Sequence, residues 1–135
     1  MRYLVLAVGR LRPPFSDDVE HYGKLLRGHA RVEVVELKDD ADVARRLPER
    51  AHVVLLDVGG RSRDSPGFAR WLEERRQAGR DVCFVIGGAT GLELPEAHER
   101  LSFGPMTFPH QLARVLLLEQ LFRAHKILAG EPYHL

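Results

Sequence analysis

LSFGPMTFPHQLARVLLLEQLFR, residues 101–123, is the stretch on whose reading the fold depends. Leu101, Ser102 and Phe103 read as a short apolar strand. Gly104 and Pro105 end it, because glycine weakens a strand and proline donates nothing to its ladder. Pro109 makes a second break, and proline suits the first turn of a helix. Leu112, Val115, Leu116, Glu119, Leu121 and Phe122 then recur at three- and four-residue steps, with Leu117 and Leu118 widening the stripe. The spacing predicts a helix over 110–128, apolar around more than half its circumference. Such a helix needs two surfaces to bury against. Its own sheet is one, and a second subunit is expected as the other. His110 stands at the end of the broken loop between strand and helix, and Arg114 one turn further on.

Working outward, residues 2–8 and 52–58 are continuous apolar runs, the pattern of strands buried on both faces. Residues 81–86 form a third such run. Residues 32–37 alternate, so that strand is half exposed and at or near an edge. Helices are expected over 16–27 with Ser16 as N-cap, over 40–47 ended by Pro48, over 65–78 with Ser65 as N-cap, and over 94–100. Strands alternating with helices at this spacing predict an α/β domain: a mostly parallel sheet with helices on both faces. The whole chain, 1–135, reads as one domain. In such sheets ligands bind at the carboxyl ends of the strands. Those ends carry Arg10 and Arg12, then Gly59, Gly60, Arg61 and Arg63, then the turn Gly87 to Gly91, then the 104–110 loop.

The composition, 44% hydrophobic and 29% charged with a net charge of +1, is that of an ordinary globular domain and singles out no partner. The one cysteine, Cys83, lies in an apolar run, which predicts an inert buried thiol and allows no disulfide within the chain. No signal peptide and no apolar run approaching about 18 residues is present, so a cytoplasmic protein without membrane partners is expected. His21, His29, His52, His98 and His125 show no metal-ligand spacing, and no metal is predicted. There is neither a Ser-His-Asp order nor a nucleophile elbow.

The Gly87–Gly91 turn follows a strand, but it is neither a dinucleotide fingerprint nor a P-loop. On residues alone it reads equally as a tight turn or a ligand cradle. Likewise His110 can simply open a helix, Arg114 can be solvated, and Met106 can belong to a core. Glu119 sits in a row of leucines and needs a partner, expected at a dimer interface or on its own helix. Two rival readings stand beside the one that the resemblance below implies: a small nucleotide- or flavin-binding protein, and a non-catalytic ribosome-associated module.

Four motifs in order, LDVGG at 56–60, IGGATG at 86–91, Thr107-x-Pro109-His110-x-x-x-Arg114 and Pro132-Tyr133-His134, together resemble the RlmH family of SPOUT-class methyltransferases, over essentially the whole chain. The resemblance implies a C-terminal trefoil knot over about 84–123, with a tail at 130–135. It implies S-adenosylmethionine as cofactor, held by Leu56, Gly87, Gly88, Phe103, Gly104, Pro105, Met106, Thr107 and Phe108. It implies a homodimer that methylates N3 of a pseudouridine in large-subunit ribosomal RNA within the ribosome. His110, Arg114, Tyr133 and His134 are the expected catalytic residues. Arg10, Arg12, Arg61 and Arg63 are expected to hold RNA phosphates. The family's ending continues with arginine where this chain has Leu135, which removes a terminal guanidinium.

Overall fold

The computed structural model describes residues 1–88 and 91–133. Among them five strands form one parallel sheet, in the order β2 (Arg31–Leu37), β1 (Arg2–Val8), β4 (Val82–Ile86), β3 (His52–Ser62), β5 (Glu99–Ser102). The continuous apolar runs occupy the centre, where both faces are covered. The alternating run, β2, lies at an edge as its pattern requires.

One face carries three helices: α1 (Phe15–Arg27), α3 (Ser65–Gln77) and α4 (His110–Leu128). Tyr3, Val5, Val54 and Phe84 of the sheet meet Leu26, Phe68, Trp71, Leu117, Leu118 and Leu121 there. The other face is covered by the short α2 (Val43–Arg46) and by residues 92–97, over Leu6, Val53, Leu55 and Val85. Cys83 is buried on that side, and burial pushes its thiol up to about 12, so it stays protonated and unreactive.

α4 rests on the sheet and is gripped on its flanks by α1 and α3. Its wide apolar stripe is therefore consumed largely within the chain, and the stripe alone does not demand a second subunit.

Three local expectations are corrected. No helix forms over 94–100. Leu94 and Ala97 pack on the second face, and the His98 N–H donates to the Val53 carbonyl while the Val53 N–H donates to His98 Nδ1. The segment thus joins the edge of β3 and leads into β5. The loop expected after residue 58 is a continuation of β3. Leu56 and Arg61 both stand opposite Leu101, with residues 57–60 bulged out between them. Gly60 makes this possible, because a Cβ there would lie 2.7 Å from the Arg100 carbonyl carbon. The caps also shift. α1 starts at Phe15 without a side-chain cap, and Asp64, not Ser65, caps α3 by accepting from the Gly67 N–H at 2.7 Å.

Two imidazoles lie inside this frame. Burial holds His52 below its ordinary pKa, although Nε2 meets Glu99 at 2.5 Å. Burial, with His29 and the N-terminal ammonium nearby, does the same to His125, whose Nε2 meets the Tyr3 hydroxyl at 2.7 Å. A histidine with a depressed folded pKa binds fewer protons folded than unfolded. Its stabilisation is present above the unfolded value and is lost as the pH falls. Tm should therefore drop between about pH 7 and about pH 5, ahead of the carboxylates. A calorimetric Tm that is flat over that interval contradicts this account.

Candidate active site

At the carboxyl ends of β3, β4 and β5 lies an open cavity of about 540 Å³. Its size and largely apolar wall suit a small organic ligand. Of the expected cofactor residues, Leu56, Gly87, Gly88, Phe103, Gly104, Met106, Thr107 and Phe108 line it. Pro105 lies in the same loop but is not among the lining residues. Ala89 and Thr90 of the glycine turn lie outside the described residues.

The loops that build this cavity are held by short-range devices. After β5, the buried Ser102 hydroxyl donates to the Gly104 carbonyl at 2.9 Å and accepts from the Gly104 N–H at 3.0 Å. That staple turns the chain at Gly104, whose φ of +121° excludes an ordinary side chain. Gly87 is required by close approach instead. A Cβ there would stand 2.7 Å from Leu92 Cβ and 3.2 Å from Leu92 N. At Gly88 a Cβ would meet Val8 at an ordinary 3.5 Å, on the side of β1.

His110 lines the cavity, half-buried, at the first position of α4. Arg114 does not line it. It is fully buried, with Nη1 donating to Glu36 Oε2 at 2.8 Å and Nη2 to the Gly9 carbonyl at 3.2 Å. Arg10, Arg12 and Arg61 are exposed. Arg63 departs from the expected role: its guanidinium reaches Glu99 at 3.3 Å and lies over Trp71, 5.4 Å from the ring centroid. Glu99 also accepts from the Trp71 indole, so Arg63 is committed to a charge cluster beside β5.

Tyr133 is placed away from the cavity, on its own helix. Its hydroxyl donates to Glu119 at 3.0 Å, the Arg123 guanidinium lies 4.4 Å over its ring, and Phe122 meets it edge-on. Glu119 thus finds its partners on its own chain, bonding also to Arg123 at 2.7 Å. His134 lies outside the described residues.

Sequence reasoning missed Asp57, the acidic residue among those lining the cavity. Its signal was its place directly after a buried strand run, at a ligand edge. Its Oδ2 accepts from Arg100 Nη1 at 3.4 Å and its Oδ1 from the Gly59 N–H at 3.5 Å, both long contacts. Val58 and Met106 are exposed apolar side chains at the same mouth, Met106 at 74%. Among the described residues no group of three or more His, Cys, Asp or Glu is placed to hold a metal. No described helix is long and apolar enough to cross a membrane.

A glycine-walled, apolar cavity at the ends of parallel strands is shared by several enzyme classes; comparison decides among them. A family model described as "Predicted SPOUT methyltransferase" matches residues 1–134. The chain belongs to the SPOUT methyltransferase family. It is similar to proteins named "Ribosomal RNA large subunit methyltransferase H". The one from Gemmatimonas aurantiaca is 42% identical, over 99% of each chain. That from Cereibacter sphaeroides is 45% identical, again over 99% of each, and that from Listeria monocytogenes serotype 4b is 35% identical over the same share. SPOUT membership makes this chain a methyltransferase and displaces the flavin-binding and non-catalytic readings. It also brings the family's knot. The chain runs from β4 over one face through 92–97 to the edge strand β5, then across the strand ends by the 103–109 loop to α4 on the opposite face. SPOUT enzymes take their methyl group from S-adenosylmethionine.

Proposed function

We propose that this chain methylates N3 of a pseudouridine in large-subunit ribosomal RNA, on the assembled ribosome and as a homodimer, with S-adenosylmethionine in the cavity described above. The observation that carries the reading is the convergence of eight expected cofactor residues on one cavity in a SPOUT chain. The printed names of its relatives support the RNA substrate.

The residues present fit the cofactor. Leu56, Phe103 and Phe108 offer apolar wall to adenine, and the glycine turn brings backbone close to a flat ring. Bound S-adenosylmethionine supplies an electrophilic methyl group on a sulfonium. The protein's task is therefore chiefly alignment of the base with that methyl. N3 of the base must lose a proton, and His110 at the rim is a group able to take or relay it, with His134 as the second candidate. Arg10, Arg12 and Arg61 are exposed cations available to phosphates. With a net charge of only +1, grip on free RNA is weak, which favours an assembled ribosome as the substrate.

The dimer is supported by a second, smaller groove of about 240 Å³ beside α4, lined by Phe68, Leu116 and Gln120 and sharing Leu101, Phe103 and Phe108 with the cofactor cavity. A subunit seated there would close the open side of the site. Light scattering should find twice the 15.3 kDa chain mass at micromolar concentration; a 15.3 kDa species alone contradicts the dimer.

Asp57, held only by long contacts to Arg100 and the Gly59 N–H, is the acidic acceptor lining the cavity and suits the cofactor's hydroxyl or ammonium groups. Asp57→Asn should weaken S-adenosylmethionine and S-adenosylhomocysteine by about tenfold each in calorimetry, the size of one charged hydrogen bond. Unchanged affinities would place the cofactor elsewhere.

The function itself is tested by incubating purified protein and methyl-labelled S-adenosylmethionine with ribosomes from cells lacking the enzyme. Label should enter large-subunit RNA. Absence of label from ribosomal RNA would overturn the assignment.

A further inference from the structure

We infer that Glu36, near the carboxyl end of β2, is a positioning residue for the reacting centre: through Arg114 it clamps the turn at residues 9–12 against α4 and so sets His110 at the cavity rim. This rests on the methyl transfer proposed above and extends it to a residue outside the cavity.

The turn has no apolar anchor of its own. None of residues 9–14 is buried, and Arg10 and Arg12 both point to solvent. What fixes it is polar. Glu36 Oε2 accepts from the Leu11 N–H at 2.6 Å and from Arg114 Nη1 at 2.8 Å. Arg114 Nη2 donates to the Gly9 carbonyl at 3.2 Å, and the Arg12 N–H donates to Gln111 Oε1 at 2.8 Å. These ties fasten one short turn to the first two helical turns of α4. His110 lies against that turn: a Cβ on Gly9 would stand 3.4 Å from His110 Nε2. Any slip of the turn would therefore move the imidazole, together with the two arginines next to it.

A merely structural reading is less economical. Arg114 is fully buried between apolar neighbours on α4, and its Nε has no partner among the described residues. Burying a guanidinium is costly, and an apolar residue of similar volume generally serves stability as well or better. A charge kept there, aimed at one carboxylate and one loop carbonyl, sets geometry. It also follows that Arg114 is a positioning residue, its charge committed to Glu36 and not presented to the base.

The test uses the full chain and ribosomes from cells lacking the enzyme. It follows kcat, KM, S-adenosylhomocysteine affinity, Tm and the His110 ring resonances by NMR. Glu36→Gln should lower kcat by about tenfold or more while cofactor affinity stays within about twofold, and the His110 resonances should move. Gln111→Ala removes only the surface tie. It should leave Tm unchanged, lower kcat by about threefold and move the same resonances less. The double variant Glu36→Gln with Arg114→Met removes both charges, so Tm should recover while kcat stays low. If kcat recovers together with Tm, or if the His110 resonances do not move in Glu36→Gln, the clamp is structural only and the inference is overturned. If the wild-type chain itself fails to label ribosomes, the methylation reading fails instead, and the NMR arm still decides the clamp.

Discussion

Replacing Gly87 by alanine should abolish practical cofactor binding. The added Cβ would lie 2.7 Å from Leu92 Cβ, 3.2 Å from Leu92 N and 3.3 Å from the Gly91 carbonyl carbon. Two of these atoms are backbone, so a rotamer change cannot relieve the clash. The 91–92 segment must move, and both of its residues line the cavity. A shift of an ångström in a preorganised wall is enough to lose most of a small ligand's contacts. S-adenosylhomocysteine affinity should fall by about 100-fold, close to 3 kcal/mol. Gly88→Ala provides the internal comparison. Its Cβ would meet Val8 at 3.5 Å and Asp40 at 4.0 Å, both ordinary contacts, so the loss should be at least about tenfold smaller. Calorimetry on both variants separates the cases. Wild-type affinity in Gly87→Ala would mean that the glycine turn is only a turn.

Truncation after Pro132 should produce the other large effect, with the opposite signature: cofactor binding nearly intact and methylation of ribosomes down by about 100-fold. The tail was expected to bring Tyr133 and His134 together onto the target base. Within the single chain Tyr133 is held against α4. Its hydroxyl is held by Glu119, its ring is covered by Arg123, and Phe122 closes the edge. Burial and the Glu119 carboxylate push its hydroxyl up to about 12, so it is no base at neutral pH. Tyr133 acts as the anchor that fixes where the chain end leaves α4. Tyr133→Phe keeps the ring and loses one hydrogen bond, so it should cost only about three- to tenfold in turnover. A truncated enzyme working at the normal rate would assign proton transfer to His110 inside the fold.

What the sequence revealed followed the range of its signals. Buried strands are continuous apolar runs, and α4 is a long periodic stripe, so both were legible locally. The edge position of β2 followed from its alternation. The 94–100 segment misled because Leu94 and Ala97 sit at helical spacing, yet their partners are the sheet face and the Val53 backbone. The extension of β3 was hidden by Gly59 and Gly60, which signal a turn and here permit a bulge. Among the site residues, those on the glycine and apolar loops were found, because their loops lie at strand ends. The ion pairs of Arg114 and Arg63 were not legible in the sequence. Their partners, Glu36 and Glu99, lie 78 and 36 residues away in the chain, and only the fold brings them together. Ser102 was read as part of a strand, although its hydroxyl is what turns the 104–108 loop over the cavity.

The account stands most directly on one measurement: nucleoside mass spectrometry of large-subunit ribosomal RNA from a strain lacking this chain, compared with the same strain supplied with it. The account predicts one N3-methylpseudouridine absent from the first sample and restored in the second, but not restored by the Gly87→Ala chain. An identical methylation pattern in the deletion and supplied strains would contradict it.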